Sequence, residues 1–204
     1  MIGLVWKDLY SARSGVFAIL LFALVFGFLF RDSWTGPMIV TLLFCNIGNS
    51  TLTWDEQCQW NTFAVSSGIP RRMLVLSKLE AGAVFVAMGT LMGLIAAVVF
   101  TVAGFNEMTL AENLQGVALG AIVAMVVMCL TIAITYWTGD SAKAQYMSTG
   151  IMVVSIIAMV SGSIIMTEML DGAVSVIVVM AVIAVVAIAV AYKASCNRLE
   201  SRDL

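Results

Sequence analysis

Six apolar runs, separated by short polar segments, occupy most of this chain. They cover residues 15–30, 37–53, 81–105, 117–137, 147–166 and 173–192. A helix that spans a bilayer needs about 20 predominantly apolar residues. Hydrophobic residues make up 62% of the chain and charged residues 11%, which is typical of an integral membrane protein. The sequence therefore predicts one all-α membrane domain over residues 1–204 with six transmembrane helices, and it leaves no room for a soluble domain.

The segment before the first run, residues 1–14, mixes Trp6 with the charged residues Lys7 and Asp8. This pattern predicts a short helix that lies in the membrane interface, with the indole at headgroup level. A cleaved signal peptide is the competing interpretation. It is disfavoured because the first apolar run ends without a small-residue cleavage site.

Basic residues are distributed very unevenly among the polar segments. With a cytoplasmic N-terminus, six spans leave Arg31 as the basic residue outside and place the other Lys and Arg residues inside. The outer loops carry acidic residues instead, such as Glu107 and Asp171. The positive-inside rule therefore predicts a multi-pass protein of the cell (plasma) membrane with both termini in the cytoplasm.

The longest polar interval, residues 55–80, separates the second and third runs. Thr53 and Glu56 have the spacing of a capping box, which predicts that a helix starts here. Trp60 and Phe63 fall on one face of that helix, which would lie along the membrane surface.

The second half of this interval predicts a helix break followed by a new helix. Gly68 favours the left-handed conformation that ends a helix, and Pro70 can begin the next one. Arg71, Arg72 and Lys78 then place positive charge just before the third apolar run. The second helix is therefore expected to rise directly from the headgroups into the bilayer.

Polar residues also form a stripe inside the second run, at positions i, i+3, i+4 and i+7. Its members are Asn46, Asn49, Ser50 and Thr53. Lipid would not favour such a face, so it is expected to turn toward other helices or toward water. The stripe can form hydrogen bonds between helices or line a translocation path, and the sequence leaves both alternatives open.

Glycines four residues apart occur in two later runs. Gly89 and Gly93 lie in the third run, and Gly116 and Gly120 lie at the start of the fourth. This spacing permits close approach of helix backbones, and it predicts helix packing rather than a dedicated dimer motif.

Several function classes are disfavoured by residues that the sequence lacks. It has no His and no CxxC pair, so neither a metal site nor a Ser-His hydrolase is expected. It has no phosphate-binding Gly-x-x-x-x-Gly-Lys-Ser/Thr motif, so no ATP hydrolysis by that route is expected. No ionisable residue lies near the middle of a run, which disfavours an ion-coupled carrier. The chain is expected to be no enzyme, to bind no cofactor and to have no nucleic-acid partner.

An interfacial N-terminal helix, six spans with both ends inside, and the polar interval together resemble the small membrane subunits of type-2 ATP-binding-cassette (ABC) exporters. The resemblance covers the whole chain as topology. At the level of residues it rests on Asp55, Glu56, Trp60, Phe63, Pro70, Arg71, Arg72, Ser77 and Lys78.

This resemblance implies that the interval forms a coupling helix, which docks on a separate ATPase subunit that binds ATP and Mg. The implied coupling residues are Asp55, Glu56, Trp60, Phe63, Pro70, Arg71, Arg72 and Lys78. Two membrane subunits, a second copy or a related permease, would enclose the path in the lipid bilayer. Family members of this size export peptides, toxins or antibiotics.

Other classes of function stay open. They are a self-sufficient channel or carrier, and a non-transporting membrane scaffold or sensor. For the helix itself, the alternative is a helix that rests on lipid, with Trp60 and Phe63 as interfacial anchors.

Overall fold

A computed structural model describes residues 2–30, 35–104, 108–138 and 173–200 of the chain, together with residues 143, 146, 147 and 150. Helices dominate these residues, and no strand occurs among them. The bounded helices are α1 (Ile2–Leu29), α2 (Thr35–Gln57), α3 (Trp60–Ser66), α4 (Arg71–Val102), α5 (Leu110–Thr138) and α6 (Ala173–Glu200). The all-α prediction is confirmed.

Within the described residues, α4 and α5 are long and apolar enough to cross a membrane. At 32 residues, α4 is about 48 Å long, whereas the hydrocarbon core of a bilayer is about 30 Å thick. The first turns of α4, which carry its charged residues, can therefore lie beyond the hydrocarbon. Most of the predicted span 147–166 falls outside the described residues, so the count of six spans stays a prediction.

The N-terminus differs from the expectation of an interfacial helix followed by a span. The structure has one continuous helix, α1, so residues 1–14 and 15–30 do not form two separate helices. No proline interrupts this segment, and the glycine nearest to the boundary of the two predicted parts, Gly15, costs too little to end a helix. Asp8 and Ala12, one turn apart, are both buried on the face that packs on the bundle.

Helix α2 lies at the centre of the bundle. It packs against α1, α4 and α5, and α5 in turn packs against α4 and α6. One core cluster joins α2, α4, α5 and α6 through residues that include Leu52, Leu79, Ile132 and Ala191. Because α2 contacts three other long helices, the position of its ends is set by the bundle.

The predicted close approach of glycine backbones is present inside the chain itself. A Cβ added to Gly93 would lie 3.2 Å from the Pro37 carbonyl oxygen of α2. A Cβ added to Gly120 would lie 3.1 Å from the Met38 carbonyl oxygen of the same helix. These glycines let α4 and α5 approach α2 closely, which agrees with the prediction that the glycine spacing serves helix packing.

Large apolar side chains are exposed along the outer sides of α1, α4 and α6. Examples are Phe17, Leu21, Leu91, Ile95, Val185 and Val186. An exposed apolar surface on several neighbouring helices is unfavourable in water and favourable in lipid. The surface of the bundle therefore supports the membrane assignment that the composition predicted.

Candidate functional site

The polar interval forms the end of α2, the short helix α3 and the start of α4. Thr53 and Glu56 lie inside α2, so the predicted capping box is wrong. The chain instead reverses at Gln59, which takes a left-handed conformation with φ of 51°, and α3 starts at Trp60. The helix expected from residue 55 is therefore shorter and starts later, with seven residues, Trp60–Ser66.

The end of α3 follows the sequence prediction. Gly68 has φ of 83°, and the Ile69 amide donates to the carbonyl oxygen of Ala64 at 3.0 Å, which closes the last turn. Pro70 is the N-cap residue of α4, with φ of −59°. The same α4 continues without a break into the apolar run, whereas its rise from the headgroups into the bilayer stays a prediction.

The two aromatic residues of α3 have different surroundings. The Phe63 side chain is 60% exposed. Trp60 is half-buried, and its ring centroid lies 4.5 Å from the Lys7 Nζ atom of α1 in a cation–π contact. The two rings still touch, with centroids 5.5 Å apart. One aromatic residue of α3 therefore faces outward, and the other faces α1.

Beneath α3, four charged side chains from three helices form one group, which we call the four-charge cluster. Its members are Lys7 and Asp8 of α1, Asp55 of α2 and Lys78 of α4. Lys78 Nζ donates to both Asp8 carboxylate oxygens, at 2.8 and 2.9 Å. Lys7 Nζ lies 3.1 Å from Asp8 Oδ1 and donates to Asp55 Oδ1.

The cluster is closed by the second carboxylate oxygen of Asp55. This Oδ2 atom lies 2.6 Å from Lys78 Nζ and forms an ion pair with it. The contact does not have the geometry of a hydrogen bond. The Asp8 side chain is 1% exposed and the Lys78 side chain 6% exposed. Two positive and two negative charges balance each other, which is the condition under which buried charges are tolerated. The cluster therefore ties α1, α2 and α4 together at the end of the bundle that carries α3.

The remaining predicted coupling residues lie at the surface or partly buried. Glu56, Pro70 and Arg72 are exposed, and Arg71 is half-buried. Asp55 and Lys78 were assigned with them from the sequence, but the structure places both inside the cluster. Lys7 and Asp8 were not singled out for this site. One sequence signal could have found Asp8. It lies one helical turn before Ala12, so both residues share the face of α1 that packs on the bundle.

Two buried hydroxyl groups of α5 and α6 have no hydrogen-bond partner among the described residues. They are the Tyr136 hydroxyl of α5 and the Ser195 hydroxyl of α6, and both side chains are buried. A buried hydroxyl without a partner costs free energy on folding.

We therefore expect Tyr136→Phe to leave the bundle as stable as the wild type, or to stabilise it by up to about 1 kcal/mol. The substitution keeps the ring in the core and removes the unpaired hydroxyl. Thermal unfolding of the purified protein in detergent measures the effect, with Tyr10→Phe as the control because Tyr10 is exposed. A loss of 1 kcal/mol or more, confined to Tyr136→Phe, would mean that the hydroxyl has a partner after all.

The polar stripe of α2 lies partly in the core. Asn49 is buried, whereas Asn46, Ser50 and Thr53 are half-buried. Asn49 Nδ2 donates to Asn46 Oδ1 at 3.0 Å, and Ser50 Oγ donates to the Ile47 carbonyl oxygen at 2.7 Å. These bonds run within α2. The Asn49 Oδ1 atom has no partner among the described residues, so part of the stripe keeps hydrogen-bonding capacity.

Among the described residues, no group of three or more His, Cys, Asp or Glu side chains could hold a metal ion. The four-charge cluster contains two carboxylates, and Lys ammonium groups contact both of them. Its chemistry is therefore that of an ion-pair network that joins helices.

An all-helical bundle with large apolar side chains on its outer surface, two of whose described helices are long and apolar enough to cross a bilayer, is typical of a membrane protein. The family model described as ABC-2 family transporter protein matches residues 3–199, nearly the whole chain. The chain belongs to this family, and it is a membrane permease of the ABC-2 type. Searches of curated proteins and of solved structures gave no match.

Proposed function

We propose that this chain is the permease subunit of an ABC exporter, driven by a separate ATPase subunit that binds ATP and Mg. Two copies, or one copy and a related permease, enclose the translocation path. The cargo is a peptide, toxin or antibiotic that leaves the cytoplasm across the plasma membrane, with both termini of the chain in the cytoplasm. Family membership and the uneven distribution of basic residues support this proposal.

The observation that carries the proposal is the exposed Phe63 ring on α3. This helix has seven residues, and Ala64 is its buried one, so α3 contributes little to the core. Exposed Glu56 precedes it in the chain and exposed Arg72 follows it. Aromatic residues and Arg are enriched in protein interfaces, where charged residues such as Glu lie mainly at the rim. The ATPase is the partner proposed for this surface.

The polar stripe of α2 is a second part of the proposal, as the lining of the path or as a helix interface. Asn49 supports it, because a buried amide oxygen without a partner among the described residues is unfavourable unless another state or subunit satisfies it.

We expect Phe63→Ala to weaken ATPase binding about tenfold or more, because truncating an aromatic anchor costs on the order of 2 kcal/mol at an interface. The permease should still insert and accumulate, since Phe63 is outside the core. The measurement is a titration of the purified ATPase against detergent-solubilised permease variants at matched concentrations.

The matched control is Phe17→Ala, which removes another exposed aromatic ring, in this case from α1. This control should bind the ATPase as the wild type does. If Phe63→Ala also binds with unchanged affinity, α3 is a helix that rests on lipid and not the coupling helix. A wild-type chain that binds no ATPase and carries solute without ATP would be a self-sufficient channel or carrier.

A further inference from the structure

We infer that Lys7 is a positioning residue that transmits displacement of α3 to α1 and α4. The inference rests on the proposed function, because it takes α3 to be the element that the ATPase moves. It goes beyond that proposal by assigning a role to a residue outside the polar interval, and by giving the two aromatic residues of α3 separate tasks.

The first step is the contact between α3 and α1. Lys7 Nζ lies 4.5 Å from the centroid of the Trp60 ring, within the range of a cation–π interaction. Trp60 is the first residue of α3, and it follows the left-handed turn at Gln59. Because Ala64 is the buried residue of this helix, apolar packing holds α3 weakly. The contact between Trp60 and Lys7 is therefore a substantial part of its attachment.

The second step is the contact between Lys7 and the other helices. The same ammonium group that contacts Trp60 lies 3.1 Å from Asp8 Oδ1 and donates to Asp55 Oδ1 of α2. Lys78 of α4 contacts the same two carboxylates. One cation thus joins α3 to a network that includes α1, α2 and α4.

The third step is that the network moves as a unit. The carboxylate of Asp8 is fully buried, and water cannot replace a lost ammonium partner there. A shift that separates one ion pair leaves a buried charge without compensation, which is strongly unfavourable. When Trp60 moves Lys7, the low-cost response is for the helices that carry the carboxylates and Lys78 to follow.

Phe63 provides the contrast within the same helix. Its ring is mostly exposed and is available to a partner, whereas the Trp60 ring faces Lys7. The structure thus assigns docking to Phe63 and transmission to Trp60 and Lys7. Variants at the two aromatic positions should therefore fail in different ways.

The test measures whether the ATPase moves α1 relative to α4, so it needs no transported substrate. The permease is prepared with its four cysteines replaced by Ala and with spin labels at Arg13→Cys of α1 and Glu80→Cys of α4, both exposed positions. The complex with its ATPase is reconstituted in lipid vesicles. The distance between the labels is measured without nucleotide and after trapping with Mg-ATP and orthovanadate.

In the wild type, trapping should shift the distance between the labels. Two single variants, Trp60→Leu and Lys7→Met, should each reduce this shift about twofold or more. Trp60→Leu changes no charge, and Lys7→Met keeps an unbranched side chain of similar length. Lys7→Arg should retain the shift, because a guanidinium group also pairs with carboxylates and stacks on indole. The double variant should lose no more than either single variant, since both changes remove the same link.

Binding of the ATPase, measured in the same vesicles, separates this inference from the proposed function. Trp60→Leu with normal ATPase binding and an undiminished shift would overturn the inference and leave the proposed function intact. A wild-type complex that binds the ATPase but shows no shift would do the same. If no ATPase binds the wild type, the proposed function fails and the inference fails with it. Should Lys7→Met not fold, Trp60→Leu and Lys7→Arg still decide the matter.

Discussion

Replacing Asp8 by Asn should destabilise the folded bundle by about 3–5 kcal/mol, because it removes one charge from a balanced, buried group. The Asp8 carboxylate accepts from Lys78 Nζ at 2.8 and 2.9 Å and lies 3.1 Å from Lys7 Nζ. An Asn side chain has nearly the same shape but carries no charge. Two ammonium groups would then share the single carboxylate of Asp55 in a site that water reaches poorly.

Equilibrium unfolding in mixed detergent measures this loss. The matched control is Glu80→Gln, which neutralises an exposed carboxylate on α4 and should change stability by less than about 0.5 kcal/mol. A charge exchange, Asp8→Lys combined with Lys78→Asp, keeps the cluster neutral and should recover part of the loss. If Asp8→Asn unfolds at the same detergent composition as the wild type, the cluster does not stabilise the bundle.

The four-charge cluster also explains why the sequence was misread at the N-terminus. Charged residues beside Trp6 are typical of a helix at a membrane surface, and that interpretation assumes that each charge meets water. Asp8 instead meets Lys78, which is 70 residues away in the chain. No local pattern indicates a partner at that separation, so the continuous, partly buried α1 could not be derived from residues 1–14 alone.

Local chemistry made other parts of the polar interval predictable. Gly68 takes the positive φ that glycine favours, and Pro70 caps α4, because both effects depend on the residue itself. The capping box at Thr53 was wrong although the same pattern is real at Thr109, whose hydroxyl and amide contact Glu112. The difference is that packing of α2 in the bundle continues the helix through Thr53. Tertiary packing decided which of two equal sequence signals became a helix start.

Sequence periodicity could not show that the predicted coupling residues have different surroundings in the folded chain. Trp60 and Phe63 are three residues apart and belong to one face of a helix, so they were assigned the same role. Their surroundings differ because α1 approaches α3 near Trp60. Asp55 and Lys78 were likewise assigned to a partner because the family resemblance implied it for the polar interval. The structure pairs them inside the chain, which needs knowledge of how α2 and α4 cross.

Helix crossing, in turn, depends on glycines whose role the sequence did predict. The spacing of Gly89 and Gly93 predicted close packing, and Gly93 is buried where α4 meets α2 and α5. The crossing sets where α2 ends relative to α4, and hence where Asp55 meets Lys78. Substitutions at this crossing therefore test whether the packing of α2 against α4 positions the four-charge cluster.

Gly93→Ala should destabilise the bundle by about 1–3 kcal/mol, because the core has no space for the added methyl group. Its Cβ would overlap Thr41 Oγ1 and would lie 3.2 Å from the Pro37 carbonyl oxygen and 3.3 Å from Val117 Cγ1. The Thr41 hydroxyl donates to the same Pro37 oxygen at 3.1 Å, so moving it aside breaks a buried hydrogen bond. The carbonyl belongs to the backbone of α2 and cannot rotate away, so α2 and α4 must separate.

The control for this prediction is Gly15→Ala in α1, where an added Cβ meets nothing within 4 Å. In an open helical position this change should be neutral or should stabilise the helix by up to about 1 kcal/mol, because Ala is the better helix former. Unfolding of both variants in mixed detergent measures the difference between them. Equal stabilities for Gly93→Ala and Gly15→Ala would show that α2 and α4 are not in close contact at Gly93, and the crossing that positions Asp55 against Lys78 would have to be redrawn.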